Sequence, residues 1–273
     1  MRRPFEIVMA LSAGLAVAFL TLPLVAIFVR VPPGTLIAQL GDPAVREAIW
    51  VSVKTTLIAH TVVVVVGTPA AYLLATRLFR GRAAVLTALE LPLVLPPAVA
   101  GLALLAAFGR RGLLGDELAA LGLSIPFTQL AVVLAVVFVS SPFYLRWGIS
   151  AFEAVDPHLL DASRTLGAGP GRTFRRVALP LAAGGLGTAS SLAWARGLGE
   201  FGATIMFAGS FPGETRTLPL AVYAEFDRDF EVALAIGALL VVASLAVLAT
   251  IRLLTWTRSP STSPFPFVRS PSA

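Results

Sequence analysis

FEAVDPHLLDASRTLGAGPGRTFRRVALP, residues 152–180, is the longest connection between apolar runs on its side of the chain. It reads as a helix, a break and a second helix. Pro157 suits a first-turn position, where its missing N–H costs nothing. Gly167 suits a left-handed C-terminal cap, and Gly169-Pro170 restarts a short helix before Pro180 opens the next apolar run. The runs on either side, 127–149 and 181–207, are each long enough for the ~20 residues that a membrane-crossing helix needs. Four more lie at about 5–29, 50–76, 84–108 and 231–254, the third interrupted by Pro92, Pro96 and Pro97. All six are continuous rather than alternating, so helices and not a β-barrel satisfy their backbones in lipid. The expected fold class is therefore all-α, a polytopic membrane protein of about six transmembrane helices spanning residues 1–258. The Ser- and Pro-rich stretch 259–273 reads as a disordered tail.

Composition agrees. Hydrophobic residues make up 57% of the 273 and charged residues only 13%, about half the charge of an ordinary soluble domain. That excludes a cytosolic enzyme, a disordered chain and a nucleic-acid-binding domain. The absence of cysteine excludes disulfides, thiol catalysis and Cys-ligated metals. The net charge of +6 is explained by topology. With the N-terminus inside, 13 arginines fall on inner segments and six on outer ones: Arg30, Arg46, Arg110, Arg111, Arg216 and Arg228. This obeys the positive-inside rule and puts both termini in the cytoplasm. The first run follows Arg2 and Arg3 as a signal peptide would. Its ~25 apolar residues exceed a signal core of ~7–15 and no small-x-small site closes it, so it reads as a retained span.

Within the opening stretch, Asp161-Ala162-Ser163, three residues, Gly167, nine residues and Val177-Ala-Leu179-Pro180 resemble the EAA loop of ABC importer permeases. Asp161 replaces the usual Glu and Ser163 the usual second Ala. The resemblance implies that this loop docks into a groove of a cytoplasmic ATPase. Asp161, Ala162, Ser163, Gly167, Gly169, Pro170, Phe174, Leu179 and Pro180 are then the coupling residues. Phe174, between Arg172 and Arg175, would suit a buried anchor with a charged rim. A solvated basic loop serving orientation alone explains the arginines but not the spacing of Gly167 and Leu179-Pro180. The chain itself has no phosphate-cradling motif. Its only lysine, Lys54, precedes Thr55 but follows no glycine-rich run. ATP must be used by a partner subunit, and no cofactor is expected in this chain.

Intramembrane charges are functional by default. Glu90, Arg196 and Glu200 fall within the runs. Glu90 is expected to cap backbone groups freed by the prolines. Arg196 and Glu200, four apart on one expected helix face, either neutralise each other or border a substrate path. Ala195, Gly199 and Ala203 form a small-residue stripe suited to helix packing, or to contact with a second copy of the chain. Thr188, Ser190 and Ser191 are candidate hydroxyl donors to a passing anion, although such hydroxyls most often bond their own helix. Together with Arg196 and Glu200 they are the candidate translocation path.

Leu91-Pro-Leu-Val-Leu-Pro-Pro97, Gly109-Arg-Arg-Gly112, Ala195–Ile205 and Pro212-Gly-Glu-Thr-Arg-Thr-Leu-Pro219 are similar to molybdate permeases, over about residues 45–250. Sulfate permeases are similar too, but typically carry Tyr where Phe201 stands and lack the 212–219 pattern. The resemblance implies a subunit passing molybdate or tungstate inward across the cell's inner membrane. Its implied partners are two ATPase copies, a second permease copy, an extracytoplasmic oxyanion-binding protein and membrane lipid. A permease for sulfate or another oxyanion, and a membrane anchor that transports nothing, remain as alternatives. An intramembrane zinc hydrolase has little support, because the only histidines, His60 and His158, form no metal-binding pattern.

Overall fold

The computed structural model describes residues 2–256, and every regular element among them is helical. The expected domain edge at 258 and the tail 259–273 lie outside the described residues. In chain order the helices are α1 (Arg2–Arg30), α2 (Pro33–Gly41), α3 (Pro43–Thr76), α4 (Arg82–Val94), α5 (Pro97–Phe108), α6 (Gly115–Ala120) and α7 (Gln129–Glu153). After these come α8 (Pro157–Thr165), α9 (Pro170–Thr173), α10 (Leu179–Leu198), α11 (Gly202–Ala208), α12 (Leu218–Phe226) and α13 (Phe230–Trp256). A five-residue π-helical turn, Phe174–Ala178, joins α9 to α10 without a break.

Local chemistry explains where the helices start. Asp42 accepts hydrogen bonds from the N–H groups of Ala44 and Val45, and Pro43 fills the first turn of α3. Thr128 caps α7 through the Ala131 N–H, and Asp156 caps α8 through that of His158. The π-turn precedes Pro180, which has no N–H to offer the carbonyl of Arg176. The Leu179 N–H reaches back to Phe174 instead.

Five segments are long and apolar enough to cross a membrane: Phe5–Arg30, Pro43–Thr76, Gln129–Glu153, Pro170–Leu198 and Phe230–Thr250. The expected sixth, 84–108, is interrupted as its prolines predict, and counts as one span if the bent pair crosses together. It is two helices, α4 and α5, bent by 118°. The break falls at Leu95-Pro96, where two successive prolines remove two N–H donors, whereas Pro92 stays inside α4. The expected span 181–207 is also interrupted. Helix α10 ends at Leu198, and α11 begins at Gly202 after a break at Gly199–Phe201.

Helix α7 is the central element, packed against both α3 and α10. Tyr144 on α7 is 2% exposed, and its hydroxyl lies 2.7 Å from that of Thr68 on α3. A Cβ on Gly67 would stand 2.7 Å from the Tyr144 ring, so only glycine lets the two helices approach this closely. Helix α11 packs on α5 and α7, and α12 on α13. No residue of the apolar stretch of α1 is buried; that helix lies outside the bundle and touches α13.

Candidate functional site

The 152–180 loop is a hairpin of two short helices. Leu160 points inward at 7% exposure. The hydroxyls of Ser163 and Thr173 lie 2.9 Å apart and tie α8 to α9, with Thr173 fully buried. Helix α8 ends in a left-handed cap: Gly167 has φ +82° and the Ala168 N–H reaches the Ser163 carbonyl. Gly169 caps α9 in extended conformation with Pro170 in its first turn, while Leu179 is half-buried and Pro180 exposed. Asp161 and Ala162 are exposed, and Asp161 pairs with Arg164 at 2.9 Å.

The expected role of Phe174 is corrected. Its ring packs inward, 4.8 Å from Tyr72 and 6.2 Å from Phe152, so it anchors the loop to α3 and α7. The apolar groups the loop does display are Leu159 and Leu166, the latter 88% exposed beside Gly167. Sequence reasoning passed over both. The signal was there in α8's pattern: with Leu160 turned inward, Leu159 must point outward.

The candidate path residues do not share one face. Thr188, Leu192, Ala195 and Gly199 form an exposed stripe on α10, flanked by half-buried Ser191 and Arg196. Ser190 points the other way. Its Oγ lies 2.8 Å from His60 Nε2 on α3, and the edge of the Trp194 ring meets His60 at 4.7 Å. Thr188 and Ser191 each donate to a carbonyl of their own helix, at Gly184 and Gly187. His60, discounted above as a zinc ligand, is thus a polar tie between two spans.

Arg196 and Glu200 do pair, at 2.7 Å, but not along one helix. Glu200 sits in the break after α10, with its side chain 1% exposed. Its Oε1 accepts a hydrogen bond from the Ala203 N–H at the start of α11. The small-residue stripe is corrected for the same reason. Ala195 and Gly199 are exposed, whereas Ala203, beyond the break, is buried against Gly101 of α5. Glu90 caps no freed backbone group. It lies 3.6 Å from Arg146 of α7, both side chains about half exposed. The two helix breaks meet: a Cβ on Gly202 would fall 2.4 Å from Cβ of Pro97.

The 212–219 stretch is held from within. The Thr215 hydroxyl accepts from the Phe211 N–H, and Arg216 donates to Ser210. Ser52 Oγ on α3 accepts from the Leu218 N–H and so caps α12.

A bundle of apolar spans with two broken helices that meet at their breaks, and a hairpin of two short helices leading straight into one of them, is the architecture of a membrane permease. The chain belongs to the family of binding-protein-dependent transport system inner membrane components, whose sequence model matches residues 64–255. It is 44% identical over 239 residues to the molybdenum transport system permease protein ModB of Mycobacterium tuberculosis, covering 87% of this chain and 90% of that one. The sulfate transport system permease protein CysW of Synechocystis is 35% identical over 250 residues, 90% of each chain. The fold is that of type I ABC importer permeases. A bacterial ABC transporter that imports alginate superposes with a TM-score of 0.77 at 13% identity, over 94% of this chain and 96% of that one.

Proposed function

We propose that this chain is the permease subunit of a molybdate importer, passing molybdate or tungstate inward with energy from a separate ATPase. The observation that carries the substrate is the identity gradient. Over nearly the whole chain it is 44% identical to a molybdenum permease and 35% identical to a sulfate one. Two copies of the chain form one passage, two ATPase subunits dock beneath it, and an extracytoplasmic binding protein delivers the ion. The exposed face of the loop, with Asp161, Ala162, Gly167, Gly169 and Pro170, contacts the ATPase, and Leu159 and Leu166 are its apolar contacts. The half-helix geometry supports this, because α9, the π-turn and α10 form one continuous rod from the loop into the membrane.

The deciding experiment is uptake of labelled molybdate, tungstate and sulfate by the reconstituted complex with its binding protein. ATP-dependent uptake of molybdate and tungstate, with sulfate at least about tenfold slower, is expected, tenfold being about 1.4 kcal/mol of discrimination. Sulfate taken up as fast as molybdate would overturn the substrate. No uptake at all would favour the anchor reading.

The proposed orientation places both termini in the cytoplasm, supported by the arginine asymmetry. Single cysteines at the exposed positions Gly41, Asp116 and Gly213 in this cysteine-free chain should react with an impermeant thiol reagent added outside intact cells. Protection of any of them until the membrane is permeabilised would refute the topology.

A further inference from the structure

We infer that Glu200 is an internal stand-in for the transported oxyanion: its carboxylate holds Arg196 while the passage is empty and yields it to a passing tetrahedral dianion. This rests on the permease reading above and deepens it by naming what sets the ion's residence time.

The geometry is that of an occupied anion site. Glu200 is 1% exposed, with Oε2 2.7 Å from the Arg196 guanidinium and Oε1 taking the Ala203 N–H at 2.7 Å. A carboxylate buried that fully is held only by partners that answer its charge. Arg196 is less enclosed, at 28% exposure, and makes no other ion pair among the described residues. It flanks the open stripe of α10 that carries Leu192, Ala195 and Gly199. The break at Pro97 is exposed as well and touches Gly202, two residues beyond Glu200, so the two interrupted spans meet at the elbow that carries this carboxylate.

Carboxylate and oxyanion oxygens make the same charge-assisted bonds to a guanidinium fork. They therefore compete for it. An unopposed arginine in a low-dielectric passage would hold a dianion strongly, and a strong site traps its cargo. Glu200 cancels most of that attraction. Its two oxygens also divide the work. When Arg196 shares its guanidinium fork with the cargo, the remaining guanidinium contact and the Ala203 hydrogen bond keep the carboxylate at the elbow, ready to take back the full pair as the ion leaves.

The test is binding of labelled molybdate to the purified permease–ATPase complex in nanodiscs, without binding protein, followed by uptake with it. Glu200→Gln keeps an amide oxygen for the Ala203 N–H and removes the competing charge. It should bind molybdate at least about tenfold more tightly than wild type, the scale of one hydrogen bond to a charged group, while uptake slows by a similar factor. Arg196→Gln/Glu200→Gln should lose the added binding. Glu200→Asp, whose shorter arm reaches Ala203 but not Arg196, should fall between wild type and Glu200→Gln, and it serves if Glu200→Gln does not assemble.

An assembled Glu200→Gln or Glu200→Asp complex that binds molybdate no better than wild type overturns the inference. So does added binding that survives in the double variant. Failure of the substrate reading looks different: the wild-type complex would take up no molybdate. The binding comparison is then made with tungstate and sulfate, and tighter binding of either to Glu200→Gln upholds the exchange. Equal binding of both by Glu200→Gln and wild type overturns it.

Discussion

Gly167→Asp should leave the permease folded in the membrane and uncouple ATP hydrolysis from uptake. Gly167 ends α8 with φ +82°, a conformation that costs most side chains of the order of 1 kcal/mol. Aspartate tolerates it better than most residues. A Cβ there would meet nothing within 4 Å, so the chain itself has room for the substitution. On the proposed docking mode, the side chain enters the space a docked ATPase would fill, next to Leu166 at 88% exposure. A charge placed at the centre of an apolar contact loses its hydration without gaining a partner. Uptake in proteoliposomes should fall by at least about tenfold, since each 1.4 kcal/mol of lost docking energy is tenfold in affinity. Permease yield and thermal stability should stay near wild type, and Gly167→Asn, which also accepts the left-handed conformation, should lose less. Wild-type uptake by Gly167→Asp would remove this loop tip from the docking surface.

The second large effect is expected at Gly202, and there it is a folding effect. A Cβ on Gly202 would lie 2.4 Å from Cβ of Pro97 and 3.2 Å from the Ala98 nitrogen. Two of the contacts are backbone at the start of α5, which cannot rotate away as a side chain would. Gly202→Ala must therefore push α5 and α11 apart just where the two broken spans meet. Overpacking of this kind costs about 1–3 kcal/mol, equivalent to roughly 2–12 °C in Tm for a chain of this size. Gly14 on α1 has nothing within 4 Å of its Cβ position, so Gly14→Ala should leave Tm almost unchanged. Thermal unfolding of the two variants in detergent compares them directly. Equal midpoints would mean that α5 and α11 are not in close contact.

Much of the loop was legible before any coordinates. The left-handed cap at Gly167 and the restart at Gly169-Pro170 are short-range consequences of residue type, and the structure has both. The direction of Phe174 was not legible, because one aromatic residue between arginines suits an inward anchor as well as an outward one. Only the positions of Tyr72 and Phe152, about 100 and 20 residues earlier in the chain, decide between them. The path residues show the same limit. Thr188, Ser190 and Ser191 look alike in sequence, yet helix rotation sends Ser190 to His60 and leaves Thr188 on the open stripe.

The sequence by itself determined what depends on each residue's own preference for water, lipid or backbone conformation. That covers the all-helical membrane fold, where most spans lie, and the hairpin of the loop. Tertiary structure alone decided how the two interrupted spans behave. Prolines mark where α4 and α5 can part, but not the 118° between them. The break after α10 has no proline at all. It is set by Glu200 turning back to hold both Arg196 and the Ala203 N–H, and by Gly202 fitting against Pro97. Hydropathy averages over ~20 residues, so it cannot register a three-residue break whose stability comes from partners on another helix.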